Sequence, residues 1–362
     1  MSSDYTIKGE TLIFHHEFDI SLKNFAIPPN IKKIVFEDYT KGIDPLRKYT
    51  NIETIVLSYY FNQRITALPP NLKVLQFGRF YNCSLCKLPD TLETLIFDER
   101  YNKPFIHPLP KSLKVLKFEG SSCFNQPLPN LPNSLKLLKL GNDFNQPLSN
   151  LSNSLKLLNL GFKFNQPLPN LPNSLKYLRL GNDFNQPLPN LPNSLKSLNL
   201  GFNFNQPLPN LPDGLKYLKL SCSFNHYINQ LPKSLKVFVN ATFYNYIVLP
   251  NKLKVLITYY NGSTLNLDNY LPHTITYLHI VFRNKLSDKI YLPKTVKYFK
   301  ISCIFAMEEI ILDNYITYYY LLKLQDHYGF ALSHINTNKR IQINLHNNKI
   351  RKSKLNDILL GI

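Results

Sequence analysis

Tryptophan is absent from this 362-residue chain, and acidic side chains are scarce, 23 against 42 lysines and arginines. Cysteines number five (Cys83, Cys86, Cys123, Cys222 and Cys303), an odd count in a long chain. That argues against a disulfide framework and for a reducing compartment. The N-terminal MSSDYTIKGE lacks the basic region and apolar stretch of a secretory signal. No uncharged apolar run reaches the ~18 residues of a membrane helix, and the most apolar late stretch is broken by Glu308, Glu309 and Asp313. The expectation is an intracellular, cytoplasmic protein with no membrane partner.

The chemistry-bearing motifs are missing too. There is no G-x-G-x-x-G, no P-loop and no G-x-S-x-G. Nine histidines are scattered without an H-x-x-x-H pair. Cys83-Ser-Leu-Cys86 is the one C-x-x-C, and a zinc site of that kind needs a second pair of ligands, which does not follow at suitable spacing. The reading is a chain that is not an enzyme, with no catalytic residues, no cofactor and no metal.

What the chain has is repetition. FNQPL occurs five times, at Phe124, Phe144, Phe164, Phe184 and Phe204, with a period of 20, and a weaker copy, FNHYI, starts at Phe224. Between the copies lies LPNSLKxLxL, whose first strand leucine falls at Leu72, Leu92, Leu113, Leu135, Leu155, Leu175, Leu195, Leu215, Leu235 and Leu253. Ile31, Ile52, Ile275 and Val296 extend the series, with spacings of 18 to 22 residues. Such recurrence predicts coils stacked side by side, because one short strand cannot bury its apolar face alone.

The L-x-x-L-x-L core reads as a strand, and stacked strands as a parallel sheet. The other half, FNQPLPNLPNS, carries three prolines, which remove backbone donors and fix φ. It reads as an extended return path with little helix. The predicted organisation is an N-terminal segment or degenerate first repeat over 1–24, the array over 25–301, and a small helical cap with a basic tail over 302–362. The expected shape is a curved, right-handed solenoid with the sheet on its concave face.

These motifs resemble the FNIP repeat, a short relative of the leucine-rich repeat, over roughly residues 50–301. The resemblance implies a leucine-rich-repeat-like solenoid and a protein-interaction role, without catalytic residues. The usual leucine-rich pattern has Asn three residues after the last strand leucine, whereas Asn145 lies five after Leu140, so the turn after the strand is built differently.

Two sets of residues recur. Phe124, Phe144, Phe164, Phe184 and Phe204 are read as a stacked apolar spine, and Asn125, Asn145, Asn165, Asn185 and Asn205 as an amide ladder. The second residue of L-x-x-L-x-L is lysine in eight consecutive units: Lys114, Lys136, Lys156, Lys176, Lys196, Lys216, Lys236 and Lys254. Strand alternation turns that slot outward. Lys139, Arg179 and Lys219 form a neighbouring basic row, and Tyr177 and Tyr217 point to the same region. The net charge of +19 partly reflects a composition rich in Asn, Lys, Ile and Tyr, so placement matters more than the total. The functional reading is a scaffold whose lysine-rich face engages an acidic partner protein. The alternatives are RNA or DNA binding through the same face, and a structural array with no dedicated ligand.

Overall fold

A computed structural model describes residues 4–240, 248–260, 265–266, 271–282, 290–291, 295–296, 298–303, 318–325 and 329–335. The chain divides into two compact units, 1–212 and 213–362.

The first unit opens with a hairpin. Strand β1 (Tyr5–Lys8) runs antiparallel to β2 (Thr11–Phe14), and Gly9, at φ +58°, takes the left-handed position of the two-residue turn. Nine further strands follow in parallel: β3 (Lys33–Phe36), β4 (Thr54–Val56), β5 (Val74–Gln76), β6 (Thr94–Phe97), β7 (Val115–Phe118), β8 (Leu137–Lys139), β9 (Leu157–Asn159), β10 (Tyr177–Arg179) and β11 (Ser197–Asn199). Each pairs with its sequence neighbour. Register is one coil per strand, so Leu138, Leu158, Leu178 and Leu198 stand side by side. All four are at most 1% exposed. Among the described residues of this unit, the return paths contain two short 3-10 turns, Leu22–Asn24 and Asp44–Lys48, and are otherwise extended, in keeping with their proline content.

Aromatic spacing records the curvature of this unit. Next to the sheet, the Phe77–Phe97 and Phe97–Phe118 ring centroids are 5.0 and 5.2 Å apart. In the same coils but farther from the strands, Tyr81–Tyr101 and Tyr101–Phe124 are 6.0 and 5.9 Å apart. The coils fan out away from the sheet, which therefore lies on the inside of the curve.

Glycine marks where coils come closest. A Cβ on Gly161 would lie 1.5 Å from the Gly141 carbonyl oxygen, and one on Gly201 1.7 Å from that of Gly181. The contact is backbone on backbone, so the slot admits nothing larger between Gly141 and Gly201.

The second unit is built on the same plan. Strands β12 (Tyr217–Lys219), β13 (Val237–Asn240) and β14 (Val255–Tyr260) are parallel. The pair β15 (Leu265–Asn266) and β17 (Ile290–Tyr291) stands apart, while β16 (Tyr277–Phe282) and β18 (Tyr298–Cys303) continue the parallel sheet from β14. Here both sheet faces are apolar. Tyr217, Val237, Val255 and Tyr277 lie in one register row, on the opposite face from Leu218, Phe238, Leu256 and Leu278. Val237, Val255 and Tyr277 form a buried cluster against which Tyr217, Val239 and Ile257 pack.

The helical reading of the C-terminal segment needs correction. Tyr318–Gln325 is strand β19, parallel to β18, and Gly329–Ile335 is strand β20, antiparallel to β19. The run YYYLLKLQ is rich in aromatic side chains that favour a pleated surface, and the free edge of β18 supplies its backbone partners. The remainder of the predicted cap and the basic tail, 304–317 and 336–362, lie outside the described residues.

Candidate functional site

The lysine slot lies one residue ahead of each strand, which corrects the reading that strand alternation carries it. The strand proper is only x-L-x, as in Leu137-Leu138-Lys139. A local backbone kink holds the lysines in line instead. The N–H groups of Lys156 and Leu157 both donate to the Lys136 carbonyl, at 2.8 and 3.1 Å. Those of Lys176 and Tyr177 do the same to Lys156, and those of Lys196 and Ser197 to Lys176. In the second unit Lys236 and Val237 donate together to Lys216, and Lys254 and Val255 to Lys236. Within each unit these lysine backbones are thus tied to one another at about the 4.8 Å strand spacing.

In the first six coils this slot alternates in sign. Glu10, Lys32, Glu53, Lys73, Glu93 and Lys114 occupy it in turn. They pair as Lys32–Glu10 at 2.6 Å, Lys73–Glu53 at 2.9 Å and Lys114–Glu93 at 2.7 Å. The Glu10 hydrogen bond and charge raise the Lys32 ammonium above its ordinary pKa. From β8 to β14 the slot holds lysine, and Thr276 takes it ahead of β16. Among the described residues, no carboxylate lies within ion-pairing distance of Lys136, Lys156, Lys176 or Lys196. Two unit charges ~5 Å apart repel by about 1 kcal/mol even in a water-like dielectric. Four like charges in file therefore carry an unmet electrostatic demand that the first six coils have neutralised.

The structure separates the remaining basic residues. Lys114 is paired, as above, and Lys139 is held by Glu119. Arg179 is exposed on the strand face, in the register row of Lys139, Asn159 and Asn199. Between that row and the lysine file runs a third row of Leu137, Leu157, Tyr177 and Ser197. Leu137 and Leu157 are half-buried and Tyr177 is 48% exposed. In the second unit, Lys216, Lys219 and Lys254 are exposed and Lys236 half-buried, while Tyr217 packs against the apolar cluster.

Two internal ladders hold this face in place, and the sequence had already indicated their residues. Phe124, Phe144, Phe164, Phe184 and Phe204 are fully buried and stack at 6.0–6.1 Å with ring planes within 7°. The side-chain oxygens of Asn125, Asn145, Asn165 and Asn185 each accept the backbone N–H of the next asparagine, ending at Asn205, at 2.8–2.9 Å. A third ladder had gone unread. The hydroxyls of Ser134, Ser174 and Ser194 donate to the carbonyls of Leu113, Leu155 and Leu175, each one coil back, at 2.6–2.7 Å. The recurrent Ser in LPNSL was the signal for it.

Among the described residues there is no group of three or more His, Cys, Asp or Glu arranged to hold a metal, and no helix long and apolar enough to cross a membrane. Cys83 and Cys86 are free thiols, and burial pushes the Cys86 thiol above its ordinary pKa.

The FNIP repeat family model matches six stretches, 81–121 and, overlapping in succession, 124–163, 149–183, 164–203, 184–210 and 204–237. Among solved structures the chain is similar to CroV588, described as a novel circular LRR protein, at 27% identity and a TM-score of 0.58. That match covers 87% of this chain but 61% of CroV588, so the chain spans less than two thirds of it. The chain also shares its fold with YopM from Yersinia enterocolitica WA-314, at 21% identity and a TM-score of 0.52, over 79% of this chain and 68% of that one. No curated protein sequence matches. Residues 81–121 and 124–237 therefore match the FNIP repeat, and the fold is a leucine-rich-repeat-like solenoid with a parallel sheet and, among the described residues, almost no helix.

Proposed function

We propose that the chain is a non-catalytic scaffold that binds an acidic partner protein through the outer face of its sheet. The binding face centres on Lys136, Lys156, Lys176, Lys196 and Arg179. One observation carries the reading: six coils of neutralised Glu/Lys alternation give way to four consecutive lysines without carboxylate partners. A file kept basic only for solubility would not need its first six members cancelled. Tyr177 supplies an aromatic anchor beside the cations, the residue type that dominates interface energetics. Lys216, Lys219, Lys236 and Lys254 extend the same slots within the second unit. The free thiols Cys83, Cys86, Cys123 and Cys222 suit the reducing interior of a cell.

The test is capture from the native cell with the full chain and with the triple variant Lys156→Glu, Lys176→Glu, Lys196→Glu, identifying proteins and nucleic acids alike. These side chains are at least partly exposed, so thermal unfolding should move little. Reversing three charges should weaken capture of an acidic protein at least tenfold, because like-charge juxtaposition across an interface costs several kcal/mol. Unchanged recovery would end the proposal. Recovery of RNA or DNA, with log affinity falling linearly in log salt, would replace it with phosphate binding.

A further inference from the structure

Three parallel files cross β8–β11: unpaired lysines, then Leu137, Leu157 and Tyr177, then a polar row in which Arg179 is the exposed cation. Repeat distance decides what can lie along them. The lysines advance by about 4.8 Å per coil. An α-helix advances 5.4 Å per turn, so over three steps the two fall out of step by only about 2 Å, which flexible lysine stems absorb. Same-face residues of an extended strand recur at about 6.6 Å, a misfit of about 5 Å over the same distance. A nucleic-acid strand in a duplex places a phosphate every ~3.4 Å, out of step in the other direction.

The apolar content points the same way. Phe162 and Phe202, 47% and 54% exposed, stand in the turns after β9 and β11, two coils apart. Two coils, about 9.6 Å, nearly match two helical turns, about 10.8 Å. A nucleic acid offers nothing to Leu137 or Leu157, whereas a helix with an apolar stripe does.

We infer that the partner presents an amphipathic α-helix laid across the strands, one turn per coil. A row of Asp or Glu at i, i+3/i+4, i+7 and i+11 would meet Lys136, Lys156, Lys176 and Lys196, and an adjoining apolar stripe would meet the Leu137–Tyr177 file. The inference rests on the proposed acid-binding face and specifies what occupies it.

The test uses the full chain and four labelled probes in fluorescence anisotropy at one fixed salt concentration. The first is an 18-residue peptide with glutamates on one edge of a leucine stripe. The second has the same composition in scrambled order, the third carries a central proline, and the fourth is a single-stranded RNA oligonucleotide. The patterned peptide should bind at least tenfold tighter than the other three and gain helical circular dichroism on binding. The triple lysine variant should lose that preference. Equal binding of the scrambled or proline peptide, or tighter binding of RNA, overturns the helix while leaving a basic face. Binding of every probe that is indifferent to the lysine reversals, or no binding at all, overturns the acid-binding face with it.

Discussion

Replacing Gly161 by alanine should destabilise the array by several kcal/mol, more than the ~1–3 kcal/mol typical of core overpacking. The added methyl would sit 1.5 Å from the Gly141 carbonyl oxygen and 2.4 Å from its carbon. Neither atom can turn aside as a side chain would. Gly141 is anchored by its turn, in which its carbonyl accepts the Phe144 N–H, and its coil is tied into the sheet on both sides. Relief requires the coils to part, which lengthens strand, asparagine and serine bonds together. The control is Gly120→Ala, where a Cβ meets nothing within 4 Å. Denaturant midpoints should fall sharply for the first and stay near the parent for the second. Equal midpoints would show that the coils are not in backbone contact at this slot.

Phe164→Ala should cost about 3–5 kcal/mol, the range for truncating a buried phenylalanine. Its ring is fully buried between those of Phe144 and Phe184, each 6.1 Å away and nearly parallel. A cavity there is lined by rings held in their own coils, so collapse cannot fill it. Phe162, two residues earlier and 47% exposed, is the matched comparison, and its alanine variant should stay within about 0.5 kcal/mol. In a stacked array such a loss is felt first by neighbouring coils. Hydrogen exchange should therefore rise around 144–184 in the Phe164 variant before the distant coils respond.

Much of this was legible in the sequence because repetition averages out local ambiguity. The period, the strand leucines at Leu138 to Leu198, the buried Phe slot and the proline-bound return path follow from spacing and residue type. What escaped the reading depended on atoms one coil away. Gly141 to Gly201 look like ordinary turn glycines until the carbonyl of the preceding coil is in place. The alternation of Glu10, Lys32, Glu53, Lys73, Glu93 and Lys114 was visible residue by residue, but Glu93 reads as an interruption of a lysine row until Lys114 is seen bonded to it. The effective basic file is shorter than eight lysines for that reason. At the C-terminal end, YYYLLKLQ has no period strong enough to separate helix from strand. A waiting sheet edge decided it, and an isolated segment does not reveal that edge.

Equivalent residues of successive coils stand side by side in one register from β8 to β11. Cysteines replacing Tyr177 and Ser197, which are direct partners across β10 and β11, test it in the full chain. Adjacent parallel strands put their Cα atoms about 4.8 Å apart, inside the range a disulfide spans. Cysteines replacing Leu157 and Ser197 sit two strands apart, at about 9.6 Å, beyond that range. Mild oxidation followed by peptide mass spectrometry should find the 177–197 link and not the 157–197 link. A 157–197 link forming as readily, or no 177–197 link under conditions that join an exposed control pair, would contradict the stacked register.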